Sequence, residues 1–146
     1  MATPATSAAQ DLPAARAFVA HLYRAYARGE PDYLDREAGR VFAPRLLALI
    51  RRDRATTPAG EVGVLDGDPV CDCQDADGLK VGHVAVTALG PGHARADITV
   101  RFPDGPRVIS LDLAASHNAW RIADIHTHET PSLVRLLERE LRRERR

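Results

Sequence analysis

Apolar residues at Leu12, Ala15, Phe18, Val19, Leu22, Tyr23 and Tyr26 return every three or four positions. That spacing predicts an amphipathic helix opening at Asp11, with Pro13 near its first turn and Gly29 and Pro31 stopping it. Pro44 opens a second helix that turns Leu46, Leu47, Leu49 and Ile50 to a core, ahead of Arg51, Arg52 and Arg54. From Thr56 to Gly78 glycine, proline and acids dominate, a longer irregular connection than a compact domain keeps unless it lines a site. The period then changes to that of strands. Lys80–Leu89, Ala94–Phe102, Arg107–Ala114 and Ala119–His128 are rich in Val, Ile and Thr, and the turn formers Gly-Pro-Gly-His, Pro-Asp-Gly-Pro and Ser-His-Asn-Ala separate them. They predict an antiparallel meander. Thr130, Pro131 and Ser132 offer a cap and a first-turn proline to a last helix carrying Leu133, Val134, Leu136, Leu137 and Leu141 on one side. Helices followed by a curled meander predict an α+β domain in which a helix closes one face and a cavity is enclosed.

At 146 residues and 15.9 kDa the chain has room for one core, read as residues 11–142, with a flexible segment 1–10 before it and a charged tail 143–146. Lys and Arg balance Asp and Glu at 20 each, so no overall basic field draws the protein to nucleic acid. The charges are segregated, with Glu61, Asp66, Asp68, Asp72, Asp75 and Asp77 in one stretch and six arginines between Arg135 and Arg146. Glu138, Glu140 and Glu144 alternate with those arginines, the pattern of a solvated helix rather than a nucleic-acid face. No apolar run approaches the roughly 18 residues of a membrane span, so no integral membrane segment is expected. The Ala-, Thr-, Pro- and Ser-rich opening lacks the regions of a secretory leader yet looks like the tether left after one is removed. The compartment is therefore periplasmic or envelope-associated in one reading and cytoplasmic in the other.

Three stretches carry a resemblance: Ala-Phe-Val-Ala-His-Leu-Tyr-Arg-Ala-Tyr at 17–26, Asp-Pro-Val-Cys-Asp-Cys-Gln-Asp at 68–75 and Trp-Arg-Ile-Ala-Asp-Ile at 120–125. Together they resemble the nuclear transport factor 2-like superfamily and, within it, an uncharacterised bacterial subfamily, the domain of unknown function 3828. The resemblance runs from Asp11 to Leu137 and implies a cystatin-like cone of helices on a curved sheet with a pocket at its mouth. It implies no reaction, because that fold hosts isomerases, dehydratases, carriers and non-catalytic partners.

Among candidate sites, the loop residues Asp68, Pro69, Cys71, Cys73, Gln74 and Asp75 read as structural, with the two acids capping turns. Cys71 and Cys73 lack the second short-spaced pair of a zinc site, which His126 and His128 would have to supply. The expectation is no metal and no cofactor, with both cysteines reduced and packed, since a bridge between them would close a strained ring. A calcium loop built on Asp75, Asp77 and Gly78 fails at both its ends, Cys73 and Val84. Strand alternation puts Trp120, Ile122, Asp124, His126 and His128 on one face. Asp112 on the neighbouring strand can approach Asp124 or His126, a carboxylate–imidazole pair suited to acid–base work. Tyr23 and Tyr26 bring hydroxyls to the same cavity, or simply fill the core. Tyr23, Tyr26, Trp120, Asp124 and His126 are the candidate ligand contacts, and Asp112, Asp124 and His126 the candidate catalytic groups. Nucleophile elbows, phosphate loops and His-Glu-x-x-His helices are absent. The reading is a non-enzymatic module that binds a small molecule or a protein in its pocket. Its alternatives are an isomerase- or hydrolase-type enzyme and an immunity or inhibitor protein with a basic partner; a homodimer through the sheet is a further candidate.

Overall fold

A computed structural model describes residues 8–116 and 119–144. The third predicted turn, at His117 and Asn118, lies outside these residues, as do most of the N-terminal segment and the last two residues of the tail. Helix α1 (Ala8–Arg24) starts before Asp11, so Pro13 sits inside it rather than in its first turn. A short 3-10 turn (Ala25–Arg28) ends it at Gly29, followed by α2 (Ala38–Val41) and α3 (Pro44–Thr56). Strands β1 (Lys80–Gly90), β2 (His93–Phe102), β3 (Gly105–Ser116) and β4 (Ala119–His126) form one antiparallel sheet in the order β1-β2-β3-β4, and α4 (Leu133–Glu144) follows. The molecule is α+β, as the sequence predicts.

Period-two alternation decides which face of the sheet is dry. Ala94, Ala96, Ile98 and Val100 of β2 and Ile109, Leu111 and Leu113 of β3 are buried against Ala15, Val19 and Leu22 of α1 in one core. Each fully buried Ile, Leu or Val stabilises the fold by roughly 1.5–3 kcal/mol. The residues between them, Arg95, Asp97, Ser110 and Asp112, make the opposite face polar. At the far edge Ala43 N–H donates to the Ile122 carbonyl at 2.8 Å, and Phe42 pairs with Ile122 as a parallel bridge that covers β4.

β4 changes phase along its length. Asp112 lies opposite Asp124 but Leu113 lies opposite Ile122, so Ala123 is an extra residue, a β-bulge. Before it Trp120 and Ile122 face the core; after it Ile125 takes that role and Asp124 and His126 turn to the polar face. The expected single face running from Trp120 to His128 is thus corrected, and His128 lies beyond the strand.

The long connection between α3 and β1 is tied down at two aspartates. Asp53, 2% exposed, accepts hydrogen bonds from the amides of Val64 (2.9 Å) and Leu65 (3.0 Å). A side chain at Gly63 would come within 2.8 Å of that carboxylate, so the close approach requires glycine. Asp68 makes the second anchor, beside the candidate site.

Candidate functional site

Asp68 pairs with Cys73 through backbone bonds of 2.9 and 3.3 Å that close the loop between them. Its own carboxylate accepts from the Val70 amide (2.8 Å) and the Tyr26 hydroxyl (2.5 Å), while Tyr23 donates to the Val70 carbonyl at 2.8 Å. Tyr23 and Tyr26 are 4% and 9% exposed, so their hydroxyls hold the loop from inside rather than facing a cavity. This corrects their candidate role as ligand contacts, and Trp120, 7% exposed on the core side, leaves that set with them. Burial, reinforced by the Asp68 charge, holds both phenols far above their ordinary range. Burial likewise raises the Asp68 carboxyl, against the lowering effect of its hydrogen bonds from Tyr26 and the backbone. Asp75 accepts from the Asp77 amide at 2.8 Å, an Asx turn.

Cys71 and Cys73 form a disulfide, which corrects the expectation of two reduced thiols. The physical reason is Asp72, whose φ of 52° is left-handed and folds the backbone until the flanking Cα atoms stand 5.2 Å apart, inside the usual disulfide span. The Asp72 carbonyl in turn accepts from the Arg107 guanidinium, which stacks on Phe102 at 4.6 Å. With both sulfurs bonded to each other, the zinc set of Cys71, Cys73, His126 and His128 has no thiolates to offer.

On the polar face the structure does bring Asp112, Asp124 and His126 together. His126 Nε2 donates to Asp112 Oδ2 at 2.7 Å and lies 4.0 Å from Asp124 Oδ2; its Nδ1 donates to the Pro131 carbonyl at 2.5 Å. Both partners are acceptors, so this geometry favours the doubly protonated ring. Burial pulls its pKa down, but the bond to Asp112, the Pro131 carbonyl and the two carboxylate charges outweigh that and raise it. Asp112 also accepts from Arg95 Nε (3.1 Å) and Nη2 (2.9 Å). Burial would raise its pKa; the His126 and Arg95 bonds lower it on balance. Asp124 is occupied as a helix anchor. Its Oδ1 accepts from the amides of Ile125 (2.8 Å) and Val134 (2.9 Å), and its Oδ2 from Ser132 Oγ (2.6 Å), whose oxygen accepts the Arg135 amide (3.2 Å) as the cap of α4. The arrangement is an ion pair with its donors committed rather than a base awaiting a proton.

Two concavities meet at His126. A pocket of about 580 Å³ is walled by the Asp112–Asp124–His126 cluster, the 129–132 loop and Arg135 and Arg139 of α4. A larger groove of about 1090 Å³ runs from His126 and His128 past Arg107 to the disulfide loop, and carries Asp66, Asp68, Asp72, Asp75 and Glu129. Sequence reasoning missed Arg107, Arg95 and Asp53. Asp53 continues the helical spacing of Leu46 and Ile50 and is legible on that ground; the arginines gain meaning only from register, Arg95 opposite Asp112.

No family model matches the chain, and no solved structure matches it. Over 81 residues, 53% of this chain, it is 41% identical to the uncharacterized protein YqhG of Escherichia coli (strain K12). The chain spans about a quarter of that relative, 26% of its length. Among the described residues no helix is long and apolar enough to cross a membrane.

Proposed function

We propose that this chain is a non-enzymatic binding module of nuclear transport factor 2-like type, and that it takes a basic segment of a protein partner in the groove beside the disulfide loop. The observation that carries this reading is the lining of that groove, where the acids Asp66, Asp72, Asp75 and Glu129 stand with one arginine and two histidines, the Asp68 carboxylate being turned to Tyr26. Its walls are preformed, since Tyr23, Tyr26 and the Cys71–Cys73 bridge fix one side and the sheet the other, so binding costs little ordering. Complementary charge then contributes association rate and specificity. The pocket of the resembled family is relocated in this reading: core side chains fill the face under α1, and the polar face offers the concavity. The disulfide supports an oxidising compartment, in line with the periplasmic or envelope alternative.

Fluorescence anisotropy with arginine- and lysine-rich peptides at low and high salt tests the proposal. Saturable binding that weakens with salt and is lost in the Asp72→Asn, Asp75→Asn, Glu129→Gln triple variant is expected. Equal binding of acidic and basic peptides, or none of either, would refute it.

The acid–base enzyme is the second reading, favoured by the 2.7 Å contact of His126 with Asp112. It requires the ring to release Pro131 or Asp112 during turnover, and substrate turnover that vanishes in Asp112→Asn would establish it in place of the binding module.

A further inference from the structure

The three polar-face residues share a pattern that goes beyond mutual contact. Each has one ligand atom turned inward and its remaining donor or acceptor held by a separate group. His126 aims Nε2 inward while Nδ1 is fixed on the Pro131 carbonyl. Asp112 aims Oδ2 inward while Arg95 holds Oδ1 through two N–H bonds. Asp124 turns Oδ2 toward the ring, 4.0 Å away, while two backbone amides hold Oδ1; the same Oδ2 accepts from Ser132 Oγ at 2.6 Å, which leaves one of its lone pairs for a metal. Outer partners of this kind orient metal ligands, and a backbone carbonyl on the other nitrogen of a histidine is among the usual ones.

We infer that Asp112, Asp124 and His126 form a binding site for a single divalent transition-metal ion. The three inward atoms lie within 4.8 Å of one another. Ligands on a tetrahedral zinc ion stand about 3.4 Å apart, given bonds of about 2.0–2.2 Å. The observed separations from Nε2, 2.7 and 4.0 Å, straddle that value, so side-chain adjustments of under about 1 Å admit the ion. One imidazole nitrogen and two carboxylate oxygens suit zinc or manganese better than calcium, which takes six to eight oxygens. On binding, Nε2 gives its proton to solvent and its lone pair to the metal. The bond to Asp112 is replaced by a shared metal, and Arg95 stays on the outer oxygen. Three protein ligands leave a position for water, and all three residues line the 580 Å³ pocket whose wall includes Glu129, Arg135 and Arg139. The site uses neither cysteine, so it stands independently of the disulfide; it shares His126 with the peptide groove.

The test is a zinc chloride titration of the metal-free, oxidised full chain at pH 7.5, followed by calorimetry and by imidazole nitrogen NMR. One equivalent should bind and move the His126 Nε2 resonance to that of a metal-bound nitrogen. Asp112→Asn, which keeps the shape of the side chain, should weaken binding by about tenfold or more. His83→Asn, on β1 and outside both concavities, should leave it unchanged. Absence of binding, or binding that moves His21, His83, His93 or His128 while His126 stays put, would overturn the assignment. The NMR measurement uses the unaltered protein, so a folding defect in a variant cannot mimic either outcome.

Discussion

Asp68 and Asp112 are both partly buried aspartates that accept more than one hydrogen bond, yet their carboxyls shift in opposite directions. Asp68 receives only neutral donors, a phenol and backbone amides, so burial dominates and its pKa rises. Asp112 is less deeply buried and receives Arg95 and His126, whose bonds and charges overcome its burial. Depth of burial and the identity of the donor, more than the number of bonds, set the direction of the shift. One region is therefore a tyrosine-braced, covalently closed loop that tolerates its charge poorly, and the other is an ion-paired surface that depends on it.

The largest way to break the contrast is at the tyrosine brace. Tyr26→Ala removes a buried ring that packs edge-on against Tyr33 and leaves Asp68 without its phenol, and should cost about 3–4 kcal/mol in urea unfolding. Tyr26→Phe, which keeps the ring, should cost about 1 kcal/mol. Cys71→Ser with Cys73→Ser comes next, at about 1.5 kcal/mol, because a bridge across one intervening residue removes little chain entropy from the unfolded state.

Asp112→Asn should cost about 1 kcal/mol at pH 6, since it turns an amide toward two cations. Its pH dependence follows from the shifts. His126 is raised in the folded state, so its contribution is complete below the ordinary value of 6.5 and is lost as pH rises through the folded value. Asp112 is lowered, so its contribution is present above the ordinary 3.8 and is lost as pH falls through the folded value. The cost of Asp112→Asn should accordingly shrink at both ends of that window, as measured by thermal melts of both proteins across pH. The smallest effect sharpens the comparison most. Asp68→Asn should change stability by under about 0.5 kcal/mol at neutral pH, because the amide oxygen keeps Val70 and the Tyr26 hydroxyl can turn to accept from the amide nitrogen. It should also remove the decline in stability that a raised carboxyl produces as pH climbs above 3.8. Equal costs for the two Asp→Asn changes would abolish the distinction between the regions.

The strands and the three longest helices are legible because hydrophobic period is a local signal. Lys80–Leu89 and Ala94–Phe102 match β1 and β2 to within a residue at each end, and Pro44 marks the start of α3. The site is legible only in part. Asp112 opposite Asp124 follows once a meander is assumed, but the bulge at Ala123 cannot be read from alternation, and the assignment of Trp120 to the same face as His126 fails with it. The disulfide is hidden for a related reason. Its feasibility turns on the single left-handed residue Asp72, and backbone handedness at a non-glycine residue leaves no mark on composition.

The bridge from Phe42 to Ile122 also bears on how copies of this chain can meet. That contact meets β4 at one point, Ile122, while β1 at the opposite border exposes Val81, Val84 and Leu89. Were two copies to join border to border at β1 about a two-fold axis, the pair would hold eight strands, and the crossing at Ile122 would hinder a third sheet from adding at the other border, where a sheet open on both sides would continue into a fibre.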